Sequence, residues 1–263
     1  MSFVEIEYRE RKDSFDMSEL QCHDHYELYF LTEGERCFFY EDRMFRLSGG
    51  SFCIIPPFAM HKTSGGAYKR INVNISAELL FPFERELLQR LCDSTAFSFS
   101  RESLQLISAI LGEGASVSVA DTREKQAVVL SYVHALLHSL SKAVYLPISH
   151  DARTASGAVD TLILKVVSYL NSAYRDELDL GGISERFYIS KNTLCARFRT
   201  AMSCSVMEYI SFLRLGRAKE LLRTTEKSMS EIASLCGYSS ANYFSLIFKR
   251  SVGVSPCKYR KDG

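Results

Sequence analysis

Two stretches near the C-terminus place the same kinds of side chain at the same spacing, and the chemistry they offer is the reading of a nucleic-acid duplex. The first is Ile183-Ser-Glu-Arg-Phe-Tyr-Ile-Ser190-Lys-Asn-Thr-Leu194-Cys-Ala-Arg-Phe198-Arg199. The second is Ile232-Ala-Ser-Leu-Cys-Gly-Tyr-Ser-Ser240-Ala-Asn-Tyr-Phe244-Ser-Leu-Ile-Phe248-Lys249. Ile183 and Ile232 lie 49 residues apart, whereas Leu194/Phe244, Phe198/Phe248, Ser205/Ser255 and Tyr209/Tyr259 lie 50 apart. One residue has therefore been added in the second turn.

Each copy fits a helix-turn-helix, in which a packing helix and a tight turn present a second helix to the major groove. In the second copy Phe244, Ile247 and Phe248 form one buried stripe by the i, i+3, i+4 rule. That leaves Ser239, Ser240, Ala241, Asn242 and Ser245 facing outward. The Asn242 amide carries the donor and acceptor pair that brackets adenine at N6 and N7. Lys249 and Arg250 suit phosphates. In the first copy Lys191, Asn192, Cys195 and Ala196 face outward after the capping Ser190, while Arg197 and Arg199 either hold phosphates or pack their stems on the module surface. Ser190 and Ser240 cap the reading helices, and Ser228 or Ser230 caps the second packing helix. Gly237 supplies a turn position where positive φ costs nothing.

Charge follows the same division. Residues 158–263 hold 16 Lys and Arg against 10 Asp and Glu, a net +6; residues 1–157 hold 16 against 21, a net −5. A basic half beside an acidic half is the pattern of a chain that meets a polyanion with one part only. The eight cysteines include no Cys-x-x-Cys and read as buried reduced thiols. No run reaches the roughly 18 apolar residues of a membrane span, and no basic leader precedes an apolar segment, so a cytoplasmic location is expected.

Elements that could position these residues follow from periodicity. Tyr26–Leu31, Arg36–Tyr40, Met44–Leu47, Ser51–Ile55 and Arg70–Ile75 read as short strands between glycine and proline turns, as in a small antiparallel barrel. Segments starting at Glu84, Ser103 and Arg123 read as helices. The last carries the stripe Ala127, Leu130, Val133, Leu137 and Leu140, which serves either the core or a dimer seam. Residues 142–157 lack a sustained period and read as a linker. Val206–Leu222 reads as one amphipathic spacer helix between the two modules.

Together, Ile232-Ala-x3-Gly-Tyr-x4-Tyr-Phe-x3-Phe-Lys-x3-Gly-x-Ser-Pro-x2-Tyr-Arg260 and Arg214-x3-Ala-Lys-x-Leu-Leu222 resemble the signature of the AraC/XylS family of bacterial transcription regulators, over residues 160–261. Ser184 and Ser203 stand where the family has Ala and Gly, and Leu246 where it often has Arg. The front of the chain resembles the cupin-like sensor domain common in that family: His23-Asp-His-Tyr-Glu27-x6-Gly34, then Pro56-x4-His61. Gln21 fills the position of the first motif's leading His, and Phe58 that of a Gly in the second. Strand alternation would place residues 21, 23, 25, 27 and 29 on one interior face.

The expectation is an α+β protein. Residues 1–141 form a cupin-like antiparallel β-barrel with following helices, 142–157 a linker, and 158–263 an all-α domain with two helix-turn-helix motifs joined by the spacer. The resemblance implies a sequence-specific regulator that binds double-stranded promoter DNA. A small-molecule effector, such as a sugar or other carbon-source metabolite, would sit near His23, His25, Glu27, Tyr29 and His61. It also implies a homodimer, and contact with RNA polymerase if the protein activates. No catalytic residue, cofactor, resident metal or membrane partner is assigned. Two alternatives stay open: a metal-sensing regulator using His23, Glu27 and His61, two imidazoles and a carboxylate suited to Zn, Fe, Mn or Ni, and a metal-dependent cupin enzyme with a DNA-targeting tail.

Overall fold

The computed structural model describes residues 2–17, 20–40, 43–94, 96–117, 122–148, 160–202 and 204–261. The first half runs β1 (Val4–Arg11), β2 (Tyr26–Tyr40), β3 (Arg43–Ser48), β4 (Ser51–Ile55), β5 (His61–Ile75), α1 (Pro82–Ser94), β6 (Ala96–Phe99), α2 (Arg101–Ala115), α3 (Thr122–Lys142) and β7 (Tyr145–Pro147). The strands make one antiparallel sheet in the order β1-β5-β2-β4-β6-β7, with β3 paired to the far half of β2.

The two strands expected at 26–31 and 36–40 are a single long β2. Register shifts between Leu31 and Glu33 and between Gly34 and Arg36 bend it instead of breaking it. Gly34 allows the bend: its φ is 93°, and a Cβ there would lie 2.3 Å from the Ala67 carbonyl oxygen. Alternation then divides the side chains. Leu28 and Phe30, with Ile71, Val73, Phe52 and Ile54, join the helices in one apolar core. Tyr29 and Leu31, with Phe38, Phe45, Leu47, Cys53 and Ile55, fill a second core on the opposite face. Because Tyr29 pairs with Asn72, Glu27 with Asn74 and Leu31 with Arg70, the polar residues of β5 share that second face, and they concentrate at one end of it.

Along α3 the buried residues are Val129, Val133, Leu136, Leu137 and Leu140. Ala127 is exposed and Leu130 half-buried, so the expected stripe is rotated by part of a turn and faces the protein's own core. β6 and β7 were not expected at all, and β7 lies within the stretch read as linker. Its remainder from residue 149, like Ser203, lies outside the described residues.

The second half is helical: α4 (Thr161–Ala173), α5 (Leu180–Arg186), α6 (Lys191–Met202), α7 (Val206–Thr224), α8 (Met229–Leu235), α9 (Ala241–Val252) and α10 (Pro256–Lys261). α7 is the spacer, and two cores share it. Val206, Tyr209 and Ile210 at its start pack with Ile163, Ile183, Leu194 and Phe198. Leu215, Ala218, Leu221 and Leu222 at its end pack with Ile232, Phe244, Phe248 and Tyr259. A helix of 19 residues, about 28 Å long at 1.5 Å per residue, thereby fixes one module relative to the other.

Candidate functional site

The polar residues of the sheet open into a cavity of about 580 Å³, lined among others by Glu7, His23, His25, Glu27, His61 and Asn72. Glu27, at the start of β2, is its focus. Its Oε1 accepts from Asn72 Nδ2 at 2.6 Å, and its Oε2 lies 3.0 Å from His23 Nε2 and 3.3 Å from His61 Nε2. Arg70 stands further off, 3.8 Å from both Glu27 and Glu7. Burial works against ionisation of the Glu27 carboxyl, but the two imidazoles outweigh it and hold the group below the usual carboxylate range. Burial also pushes His23 down, toward its neutral form, against the pull of Glu27.

Backbone contacts fix the histidine tautomers. His23 Nδ1 lies 2.9 Å from the His25 carbonyl oxygen, and His61 Nδ1 lies 3.2 Å from that of Ala59. A carbonyl only accepts, so both Nδ1 atoms carry hydrogen and both Nε2 atoms turn to the one carboxylate. The three candidate ligand atoms lie within 4.8 Å of one another. With neutral rings this brings together lone pairs that only a cation relieves, either protons on the imidazoles or a metal ion.

The structure corrects the strand-face argument. His23 and His25 come from the loop before β2, not from the strand, and they reach the cavity with their rings stacked at 4.0 Å. Tyr29 does not line the cavity. It is buried in the second core against Phe38, with the Arg70 guanidinium 5.2 Å from its ring centre. Asn72 and Arg70, which do line it, keep polar atoms without a hydrogen-bond partner among the described residues: Asn72 Oδ1 and Arg70 Nε.

At the other end of the molecule both helix-turn-helix units form. Ser190 and Ser240 each accept the N–H three residues on, capping α6 and α9. Ser228, not Ser230, caps α8, in a reciprocal capping box with Glu231. Gly237 takes φ 78°. Leu194 and Phe198, like Phe244 and Phe248, are buried. Ser190, Lys191, Asn192, Arg199, Ser239, Ser240, Asn242, Lys249 and Arg250 are exposed, whereas Cys195 and Ser245 are half-buried. Arg197 is not a free cation. Its Nε and one terminal nitrogen grip both oxygens of Asp160, the N-cap of α4. Sequence reasoning passed over two exposed aromatics on this part of the chain: Tyr188, 95% exposed in the first turn, and Tyr243, 51% exposed on α9. Aligning Tyr188 with Gly237 at the offset of 49 would have singled out the first.

Two family models match this chain: an AraC-like ligand binding domain over residues 3–127 and a helix-turn-helix domain over residues 183–262. The HTH-type transcriptional regulator YdiP of Escherichia coli is 31% identical over 147 residues, 55% of this chain and 48% of that protein. This chain therefore spans about half the length of that relative. The HTH-type transcriptional activator RhaR of Mannheimia succiniciproducens is 23% identical over 92% of this chain and 86% of its own length. Among solved structures, the C-terminal domain of the response regulator AraT from Geobacillus stearothermophilus is 28% identical over 41% of this chain and 89% of its own, with a TM-score of 0.40.

Proposed function

This chain belongs to the AraC family of transcription regulators, and we propose that it is a ligand-controlled DNA-binding protein whose effector is a small polyhydroxylated metabolite, such as a sugar, held in the polar cavity of the sheet. The observation that carries the effector class is the pair of unmatched buried atoms, Asn72 Oδ1 and Arg70 Nε, one acceptor and one donor. An unpartnered buried polar group costs about 1–3 kcal/mol. A ligand hydroxyl both donates and accepts, so a polyol answers both atoms. His23, His25, Glu27 and His61 supply further partners around the same space.

At the other end, Ser190, Lys191, Asn192, Cys195 and Arg199 of the first copy and Ser239, Ser240, Asn242, Ser245, Lys249 and Arg250 of the second face promoter DNA. Arg197 shapes α6 through Asp160 in place of a phosphate contact. The protein works in the cytoplasm as a homodimer, and as an activator it would also touch RNA polymerase. The effector acts by binding one domain arrangement better than another; tight binding to both would shift nothing.

The test is a selection of genomic DNA fragments by the purified full-length protein, repeated with a panel of sugars. A recovered site holding two elements about 10 base pairs apart, with occupancy shifted by one sugar, is the expected result. Recovery of a site whose occupancy no polyol changes would overturn the effector class.

A second reading rests on the tautomers. His23, Glu27 and His61 would hold a divalent ion such as Zn²⁺, which supplies the missing positive charge. It predicts that EDTA, not a sugar, changes occupancy. A rise in melting temperature with Zn²⁺ that His61→Gln abolishes would favour it; no such rise would remove it.

A further inference from the structure

The cavity and the DNA-binding helices meet at one residue. Asp24 lies between the two histidines that line the cavity, and its carboxylate spans the loop: Oδ1 stands 3.6 Å from His25 Nδ1 on the cavity side, and Oδ2 faces the helices. Its Oδ2 accepts from the Tyr259 hydroxyl of α10 at 3.3 Å and stands 3.8 Å from an Arg223 nitrogen at the end of α7. Arg223 also lies over the Tyr259 ring, 4.4 Å from its centre. Tyr259 in turn packs edge-on against Phe248, a core residue of the reading helix α9, at 5.4 Å. A short chain of contacts thus runs from His23 and His25 through Asp24 and Tyr259 to α9.

The same loop is held from below by an unusual backbone. Phe58 adopts φ 66°, a left-handed conformation that costs a bulky residue roughly 1–2 kcal/mol. Its N–H donates to the His23 carbonyl at 2.6 Å, and its own carbonyl accepts the Cys22 thiol at 3.4 Å. Gly216 of α7 lies against that carbonyl and against Cys22 Sγ; a Cβ there would sit 3.4 and 3.5 Å from them. The segment carrying the cavity histidines therefore rests directly on the spacer helix. A second cavity of about 510 Å³, lined by Asp24, Phe58, Glu220 and Arg223 among others, leaves room beside the contact for it to shift.

We infer that Asp24 is a latch between the cavity and the second helix-turn-helix: in the free protein it holds α7 and α10 against the sheet, and a ligand that displaces His23 and His25 withdraws it. The inference rests on the cavity being the ligand site. Asp24 is partly exposed, and its ion pair with Arg223 is long. Such pairs are individually weak, which suits a contact that must open and close reversibly.

The experiment uses the full chain without ligand. Hydrogen exchange of α7 and α10, and affinity for a random-sequence duplex of roughly 40 base pairs, long enough for both modules, are compared in wild type, Asp24→Asn, Arg223→Gln and Tyr259→Phe. Faster exchange in both helices and about 5- to 10-fold tighter binding, with the Asp24→Asn/Tyr259→Phe double variant no different from Asp24→Asn alone, is the expected result. Arg223→Gln keeps the test open if Asp24→Asn fails to fold. Unchanged exchange, weaker binding, or additive effects in the double variant would overturn the latch. A screen in which no polyol binds wild type, while Asp24→Asn still loosens α7 and α10, removes the cavity reading and leaves the contact. A polyol that binds wild type without changing exchange there removes the latch and leaves the cavity.

Discussion

Tyr188 and Gly237 occupy one position in the two copies of the helix-turn-helix. Each donates its N–H three residues back, Tyr188 to the Glu185 carbonyl at 3.1 Å and Gly237 to that of Ser234 at 3.0 Å. Each is followed by an N–H that reaches five residues back, Ile189 to Ser184 and Tyr238 to Ala233. Both have left-handed φ, 55° and 78°. The first copy therefore places a tyrosine where the turn asks for glycine. Its side chain is almost wholly in solvent, so little packing is lost on removing it. Relief of about 1–2 kcal/mol of left-handed strain, less the added freedom of a glycine in the unfolded chain, predicts that Tyr188→Gly stabilises by about 0.5–1 kcal/mol. Gly237→Ala moves the other way and further, because its Cβ would meet Arg175 backbone atoms at 2.6–2.9 Å. Urea unfolding of both variants decides it; a lower midpoint for Tyr188→Gly would show that the turn is unstrained.

Features written locally were legible and those written at a distance were not. The paired caps, the turn glycine and the stripes Leu194/Phe198 and Phe244/Phe248 come from contacts a few residues long, so spacing alone exposes them. β6 and β7 have 4 and 3 residues, too few to show a period, and they exist because they pair with each other and with β4. Spacing does not show that Arg197 finds Asp160 37 residues away. The cavity was half legible: His23, Glu27 and His61 do converge, but through a loop where alternation had implied a strand. Tyr29 follows the alternation and is lost to the apolar core for that reason.

Asn242 and Lys249 separate two kinds of DNA contact. Asn242 is exposed at the start of α9, where a reading helix meets base edges, and Lys249 is exposed near its end. Asn242→Ala is expected to relax preference at one base, by about 1–3 kcal/mol of discrimination. Lys249→Ala should weaken all sequences alike and reduce the salt slope by about one. Binding profiles on a randomised operator measure both; identical profiles for the two variants would contradict the division.

The thiols offer a check on the two C-terminal cores. Burial pushes Cys236 up to about 12 and Cys204 up to about 11. A raised thiol pKa means the unreactive protonated form persists below it. At pH 8 only about 1 in 10⁴ and 1 in 10³ of these groups would be thiolate. Cys257, exposed on α10, should alkylate with iodoacetamide long before either. Peptide mass spectrometry on the native protein reads the order. Early labelling of Cys236 would mean that the core around Phe244 and Phe248 opens readily.

Asn72 supplies the shortest hydrogen bond to the buried Glu27 carboxylate, and Arg70, 3.8 Å away, is too distant to replace it. Asn72→Ala leaves Glu27 Oε1 without that donor in a site that excludes most solvent. A hydrogen bond to a buried charge contributes about 1.5–3 kcal/mol, so the variant should lose about 2 kcal/mol by urea unfolding. Glu27→Gln in the same background tests the cause. Once the charge is gone the lost donor matters less, so the double variant should fall short of the sum of the single losses. Strict additivity would show that Asn72 acts through packing and not through the carboxylate. A ligand that fills the cavity should recover part of the Asn72→Ala loss, because binding to the folded state alone stabilises by mass action.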